Sequence, residues 1–192
     1  GVEVKEKLSK DAKTWSTAED LGYNHTYSIV ASDVDGNKKN LSFSTPQAAG
    51  VAEVSLTPIP DSEVGVGQVI GVNFGVPITD RKAAEKTITV TTNPEVKGAF
   101  YWVNNQEVRW RPKEYWEPGT KVEVKLDQYG KDLGGGIYGG ENAKTNFTIG
   151  DRTVAIIDNA TKTMKVFKNK KFLRAIPVSL GRDYQYDTPN GR

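Results

Sequence analysis

An internal repeat with a long period constrains the fold more than any other feature of the sequence. Trp15 and Trp110, Leu21 and Trp116, Tyr27 and Val122, and Ile29 and Val124 each stand 95 residues apart. Each copy reads as a strand ending in a tryptophan, a short link with an apolar anchor, a turn, and then an alternating strand. Each closes on a polar-flanked aromatic strand, Leu41–Thr45 in the first copy and Thr145–Ile149 in the second. The second copy reaches that strand later because a glycine-rich stretch, Gly130–Gly140, is inserted before it.

Solenoid repeats recur every ~20–50 residues, whereas one immunoglobulin-like sandwich takes about 100. The period therefore predicts an all-β chain of tandem immunoglobulin-like β-sandwiches. Short runs rich in β-branched and aromatic residues supply strands at Tyr27–Ala31, Val69–Phe74, Thr87–Thr91 and Lys121–Lys125. Turn residues separate them at Asp35-Gly36, Asn93-Pro94, Asn104-Asn105, Pro118-Gly119 and Gly134–Gly136. One short helix is expected at Asp80–Lys86, where an Asp can cap a run of good helix formers.

The repeat also sets the expected boundaries. Residues 1–46 form the C-terminal part of a first sandwich, because too few residues precede Trp15 to supply its opening strands. Residues 47–50, after Pro46, form a short, semi-rigid linker, and 51–149 form a complete second sandwich. Residues 150–192 repeat neither copy. Their runs Thr153–Asp158, Thr163–Phe167 and Phe172–Leu180, with turns at Asn159–Lys162 and Lys168–Lys171, predict a β-meander. Three strands are marginal alone, so this segment reads as the start of a larger unit. The incomplete first sandwich is expected to leave strand edges and one apolar face uncovered.

Composition excludes several kinds of chemistry. The chain has no cysteine, hence no disulfide, thiolate metal site or cysteine nucleophile, and one histidine, hence no multi-histidine metal site. A net charge of +2 gives no global reason to bind nucleic acid. No run approaches the ~20 apolar residues of a membrane span, and the charged start Gly1–Lys7 has no signal-peptide core.

The individual candidates favour structural roles. His25 lies in a turn with no triad-like partners around it. Asp33-Val34-Asp35-Gly36-Asn37 has a calcium-loop look but lacks the distal Glu, and Asp-Gly between alternating strands is a hairpin turn. Glu114 and Glu117 flank Tyr115 and Trp116 in a way that suggests a sugar cleft. However, Trp110 and Trp116 occupy the repeat's apolar positions, which points to core. The Gly65–Gly67 and Gly134–Gly140 stretches lack a phosphate-loop pattern and read as flexible connections.

The tail and the repeat together resemble actinobacterial, mycobacterial-type L,D-transpeptidases. In the tail the resemblance rests on Ile156–Asp158, Met164–Phe167, Pro177–Gly181 and the motif Thr188-Pro189-Asn190-Gly191. Upstream it rests on Trp15–Thr17, Leu21–Asn24, Val64–Gly67, Thr91–Pro94, Gly98–Trp102, Val108–Pro112, Pro118–Thr120 and Phe147–Asp151. The resemblance implies two immunoglobulin-like domains, the first incomplete here, followed by the opening β-meander of the catalytic domain. For the whole enzyme it implies acyl transfer by a histidine-activated cysteine thiolate. The thiolate attacks a tetrapeptide stem and expels the terminal D-alanine; an acceptor amine then resolves the thioester into a 3→3 cross-link. It also implies acylation by carbapenems.

The family's cysteine motif and second histidine are expected beyond Arg192, so no catalytic residue carries over. Only Thr188, Pro189 and Gly191 match a family motif. The implied role is a non-catalytic spacer that positions the catalytic domain in the cell envelope, in a fragment cut at both ends. It needs no cofactor or metal, and its partners are peptidoglycan stem peptides reached through the catalytic domain. A membrane anchor upstream is compatible with this arrangement. The rival is a non-enzymatic adhesin or a glycan-binding module using Trp102, Trp110 or Trp116.

Overall fold

The computed structural model describes residues 3–182 together with 186–187. The first copy supplies β1 (Glu6–Leu8), β2 (Trp15–Thr17), β3 (Thr26–Ser32) and β4 (Lys38–Ser44). They form two separate antiparallel pairs, β1 with β2 and β3 with β4. The turn between β3 and β4 is tied by Asp33. Its carboxylate accepts from the backbone N–H of Asp35 and Asn37 at 3.0 and 2.8 Å, and from the Asn37 amide at 2.9 Å. Those hydrogen bonds, the Asn37 side chain first, hold the Asp33 carboxyl below its ordinary range. The hairpin reading of Asp33–Asn37 therefore holds. Leu8, Val30, Leu41 and Phe43 stay exposed, so neither pair has a covered apolar face.

The second copy is a closed sandwich. In chain order it comprises β5 (Gly50–Ala52), β6 (Ser55–Thr57), β7 (Ser62–Val64), β8 (Ile70–Asn73), α1 (Arg81–Lys86), β9 (Ile88–Asn93), β10 (Gly98–Trp102), β11 (Glu107–Pro112), β12 (Lys121–Leu126), β13 (Ile137–Gly139) and β14 (Ala143–Ile149). One sheet has the order β10-β11-β8-β6 and the other β7-β14-β12-β9; β5 and β13 form a small parallel pair. Strands put alternate residues on opposite faces. Val108, Trp110 and Pro112 of β11 therefore turn inward, toward Val122, Val124 and Leu126 of β12 and Thr145, Phe147 and Ile149 of β14. The helix begins as expected: the Asp80 carboxylate accepts the Ala83 N–H at 2.9 Å, and Ala84 seats the helix on the core.

The structure realises the repeat as register. β3 and β12 begin 95 residues apart, at Thr26 and Lys121. Leu8 opposes Trp15 in the first copy as Phe100 opposes Trp110 in the second. Tyr27 opposes Phe43 as Val122 opposes Phe147.

Trp15 is 38% exposed, against 8% for Trp110, because the strand pair that carries it has no facing sheet; this agrees with the uncovered apolar face expected of the first copy. The Trp15 indole N–H donates to Glu6 at 2.8 Å. At the end of the expected link 47–50, Gly50 pairs with Ile137 in the small parallel sheet. The glycine-rich insertion is not the loose connection expected of it. It carries β13, and Gly139 is buried tightly against the Gln128 backbone, where only a hydrogen side chain fits.

The tail forms β15 (Thr153–Asp158), β16 (Thr163–Lys168) and β17 (Lys171–Pro177), an antiparallel meander, followed by the short pair β18 (Gly181–Arg182) and β19 (Tyr186–Asp187). The third strand ends at Pro177, short of the expected Leu180. Ile156, Ile157, Phe172 and Leu173 are exposed on this sheet.

Candidate functional site

A groove lies where the first copy meets the second. It encloses about 750 Å³ and is lined by Glu19, Asp20, His25 and Tyr27 from one side and Tyr129 and Asn142 from the other. The Asn142 side-chain oxygen accepts from the backbone N–H of both Gln128 and Tyr129 at 2.8 Å, which fixes the base of the groove. Around the groove the copies touch directly. The rings of Tyr23 and Tyr138 lie 5.8 Å apart. Beside this contact the Asn24 N–H donates to Pro46 within the first copy at 2.9 Å, and the Ala49 N–H of the link donates to Gly136 of the second copy at 2.9 Å. No periodic signal in the sequence marks this contact: Tyr129 and Asn142 belong to no motif or pattern, and Gly130 reads there only as the start of the glycine-rich insertion.

His25 sits at the groove rim and is exposed. Its ring stands edge-on to Tyr27 at 6.1 Å, and its backbone pairs with Thr45. Among the described residues no side chain hydrogen-bonds to or ion-pairs with the ring, which packs against Tyr27. Among the described residues no group of three or more His, Cys, Asp or Glu side chains is arranged to hold a metal.

The tryptophans named as a glycan platform are taken up by packing. Trp116 is 2% exposed and donates its indole N–H to Gln68 at 2.7 Å. It lies 5.6 Å from Trp110 and stands edge-on to Phe147 at 6.4 Å. Trp102 stacks on Phe74 at 5.9 Å, has the Arg81 guanidinium 5.1 Å from its ring centre, and donates to Glu85 at 2.8 Å. No open ring face of the size a sugar needs remains on Trp110 or Trp116. Glu114 and Glu117 are both exposed, so nothing buries either carboxylate for acid–base work.

The second copy passes into the tail through Gly150-Asp151-Arg152. The Gly150 N–H donates to Val64 at 2.8 Å, the Arg152 guanidinium lies 5.7 Å from the Tyr115 ring centre, and Val154 packs against the second copy's core. Asp151 pairs with Lys168 at 2.8 Å and accepts from the Asn169 amide at 3.1 Å. The Lys168 ammonium is the main cause that holds the Asp151 carboxyl below its ordinary 3.8. The same pair raises Lys168 above its ordinary 10.5. A lowered carboxylate adds stability that is present above its unfolded pKa and lost as pH falls through the lowered folded value. A raised ammonium adds stability below 10.5 that is lost above its folded value. The pair should therefore brace the start of the meander from about pH 4 to about pH 10. A carboxyl NMR titration of Asp151 should show a midpoint below 3.8, and Lys168→Met should raise that midpoint while the Asn169 hydrogen bond remains.

Thr188, Pro189 and Gly191, the matches to the family motif, lie outside the described residues.

The fold and this arrangement define a class. A profile of the bacterial Ig domain family matches residues 1–132, and the chain belongs to that family. Its relatives are more particular: the chain resembles mycobacterial-type L,D-transpeptidases. It is 43% identical to L,D-transpeptidase 2 of Mycobacterium tuberculosis (strain CDC 1551 / Oshkosh), covering 100% of this chain and 47% of that protein. It is 30% identical to L,D-transpeptidase 5 of M. tuberculosis (strain ATCC 25618 / H37Rv), covering 94% of this chain and 42% of that protein. A solved LD transpeptidase in complex with imipenem superposes with a TM-score of 0.58 at 32% identity, over 73% of this chain and 58% of that one. An L,D-transpeptidase from Mycobacterium smegmatis gives a TM-score of 0.52 at 27% identity, over 73% of this chain and 58% of that one. The chain spans about half the length of the curated relatives it matches.

Proposed function

We propose that this chain is the non-catalytic positioning region of a peptidoglycan L,D-transpeptidase. Residues 1–46 belong to a first immunoglobulin-like domain, 47–50 to a link, 51–149 to a second domain, and 150–192 to the start of the catalytic domain, with Thr188, Pro189 and Gly191 in that start. The parent enzyme acts outside the cytoplasm on stem peptides in the cell wall. What supports the reading is a match along the whole chain to L,D-transpeptidase 2 in a sequence with no cysteine. The fold aligns with the enzyme family, and the thiol chemistry has no residue here to perform it.

Incubating the chain with a tetrapeptide-stem donor, an acceptor stem and, separately, imipenem tests this by mass spectrometry. The expected outcome is no 3→3 product and no covalent drug adduct. Either species would show that these residues carry an acyl-transfer site of their own.

A further inference from the structure

We propose that the 128–142 loop of the second copy, rather than the link between the copies, fixes the angle between them, with Tyr129 and Gly130 as the positioning residues. The inference rests on the positioning role proposed above and deepens it by naming the element that sets the geometry.

The loop is stiff before it touches anything. The Gly130 N–H donates to Gly139 and the Gly139 N–H to Lys131, both at 3.0 Å, and the Leu133 N–H donates to Ile137 at 2.8 Å. Lys131 pairs with Asp127 at 2.8 Å, and Asn142 caps the loop's first two N–H groups. A loop closed by so many internal bonds transmits position instead of absorbing it.

Its outer edge fits the first copy with no space to spare. Gly130 has φ +71°, and a Cβ there would stand 2.5 Å from the Leu21 carbonyl oxygen. Across the contact, a Cβ on Gly22 would stand 2.7 Å from the Tyr129 hydroxyl and 3.1 Å from the His25 ring. Gly22 is buried, and its N–H donates to the Tyr27 hydroxyl at 3.1 Å. Two glycines thus face each other's neighbours at distances that real side chains do not reach. The loop also grips the link: the Ala49 N–H donates to Gly136, whose own Cβ would stand 3.1 Å from that of Ala49. A short link preceded by one proline restricts reach but leaves several backbone torsions free. Contacts on both sides of it remove that freedom.

The chain has no cysteine, so a pair introduced at the exposed sites Lys39 and Thr89 gives two unique spin labels, one per copy. Pulsed electron–electron double resonance on the full 192-residue chain then reads the distance between copies. The unaltered joint should give one narrow distribution. Gly130→Ala should shift it or widen it roughly twofold. Gly36→Ala is the matched control: Gly36 has a similar φ of +83° with nothing within 4 Å of a Cβ, so its backbone strain leaves the distance unchanged. Tyr129→Ala removes the contact without backbone strain and should also widen the distribution, which keeps the test open if Gly130→Ala folds poorly. Pro46→Gly should change little. The proposal is overturned if the unaltered chain is already broad, if Tyr129→Ala leaves the distribution narrow, or if Pro46→Gly widens it as much as the loop variants. A narrow distribution in a chain that nonetheless transfers stems would retain the joint and reject the positioning role.

Discussion

Trp110→Ala is expected to lower the unfolding free energy of the second copy by about 3–5 kcal/mol, the usual loss for emptying a large aromatic site in a core. Trp15→Ala, its counterpart one period earlier, is expected to lower stability by at most about 1 kcal/mol. The two residues share sequence context and strand register, and differ in what lies over them. Trp110 is packed against Trp116 at 5.6 Å within a closed sandwich, so its removal leaves a cavity that the surrounding sheets cannot fill. Trp15 keeps 38% of its surface in solvent and is held by a hydrogen bond to Glu6. Little apolar burial is lost with it. Urea unfolding followed by resolved amide signals from each copy separates the two, since the copies need not unfold together. Equal losses would mean that the first copy has a closed core of its own, contrary to its exposed faces.

The same contrast shows how much of the molecule was legible in the sequence. Strand identity and the repeat were readable because alternation and turn residues are local. Lys121–Leu126 alternates charged and apolar residues, and the structure pairs it on both edges, with β9 and with β14. The core role of Trp116 was readable from its place in the repeat. Whether a repeated position is buried was not, because burial depends on a facing sheet and the pattern within a strand is silent about that. Trp15 shows this directly. The glycine-rich insertion misled for a related reason. Composition predicts flexibility, yet Gly130, Gly134, Gly135 and Gly136 all adopt positive φ in one braced loop, and Gly139 is needed for close approach to Gln128. Glycine marks a demanding backbone as readily as a loose one, and only long-range contacts with Leu21 and Ala49 decide between them.

The tail follows the same logic. The meander was legible from its three runs, and β15 pairs with β16 and β16 with β17 as an alternating pattern with tight turns requires. Its attachment to the second copy was not. It depends on Val154 reaching the neighbouring core and on Arg152 lying over Tyr115, both of which link residues from different units.

A chimera of L,D-transpeptidase 2 from M. tuberculosis, its matching half replaced by this chain, tests most directly whether the region positions without taking part in chemistry. Transfer between soluble stem peptides needs only a competent catalytic domain. Cross-linking of intact wall sacculi also needs that domain held at the right reach and angle, where effective concentration depends on geometry. The account predicts that Gly130→Ala in the chimera leaves soluble transfer within about twofold and lowers sacculus cross-linking by about tenfold or more. An equal fall in both assays, with the variant folded, would place the loop in the chemistry and contradict the account; no fall in either would show that orientation set by this chain is irrelevant to the enzyme.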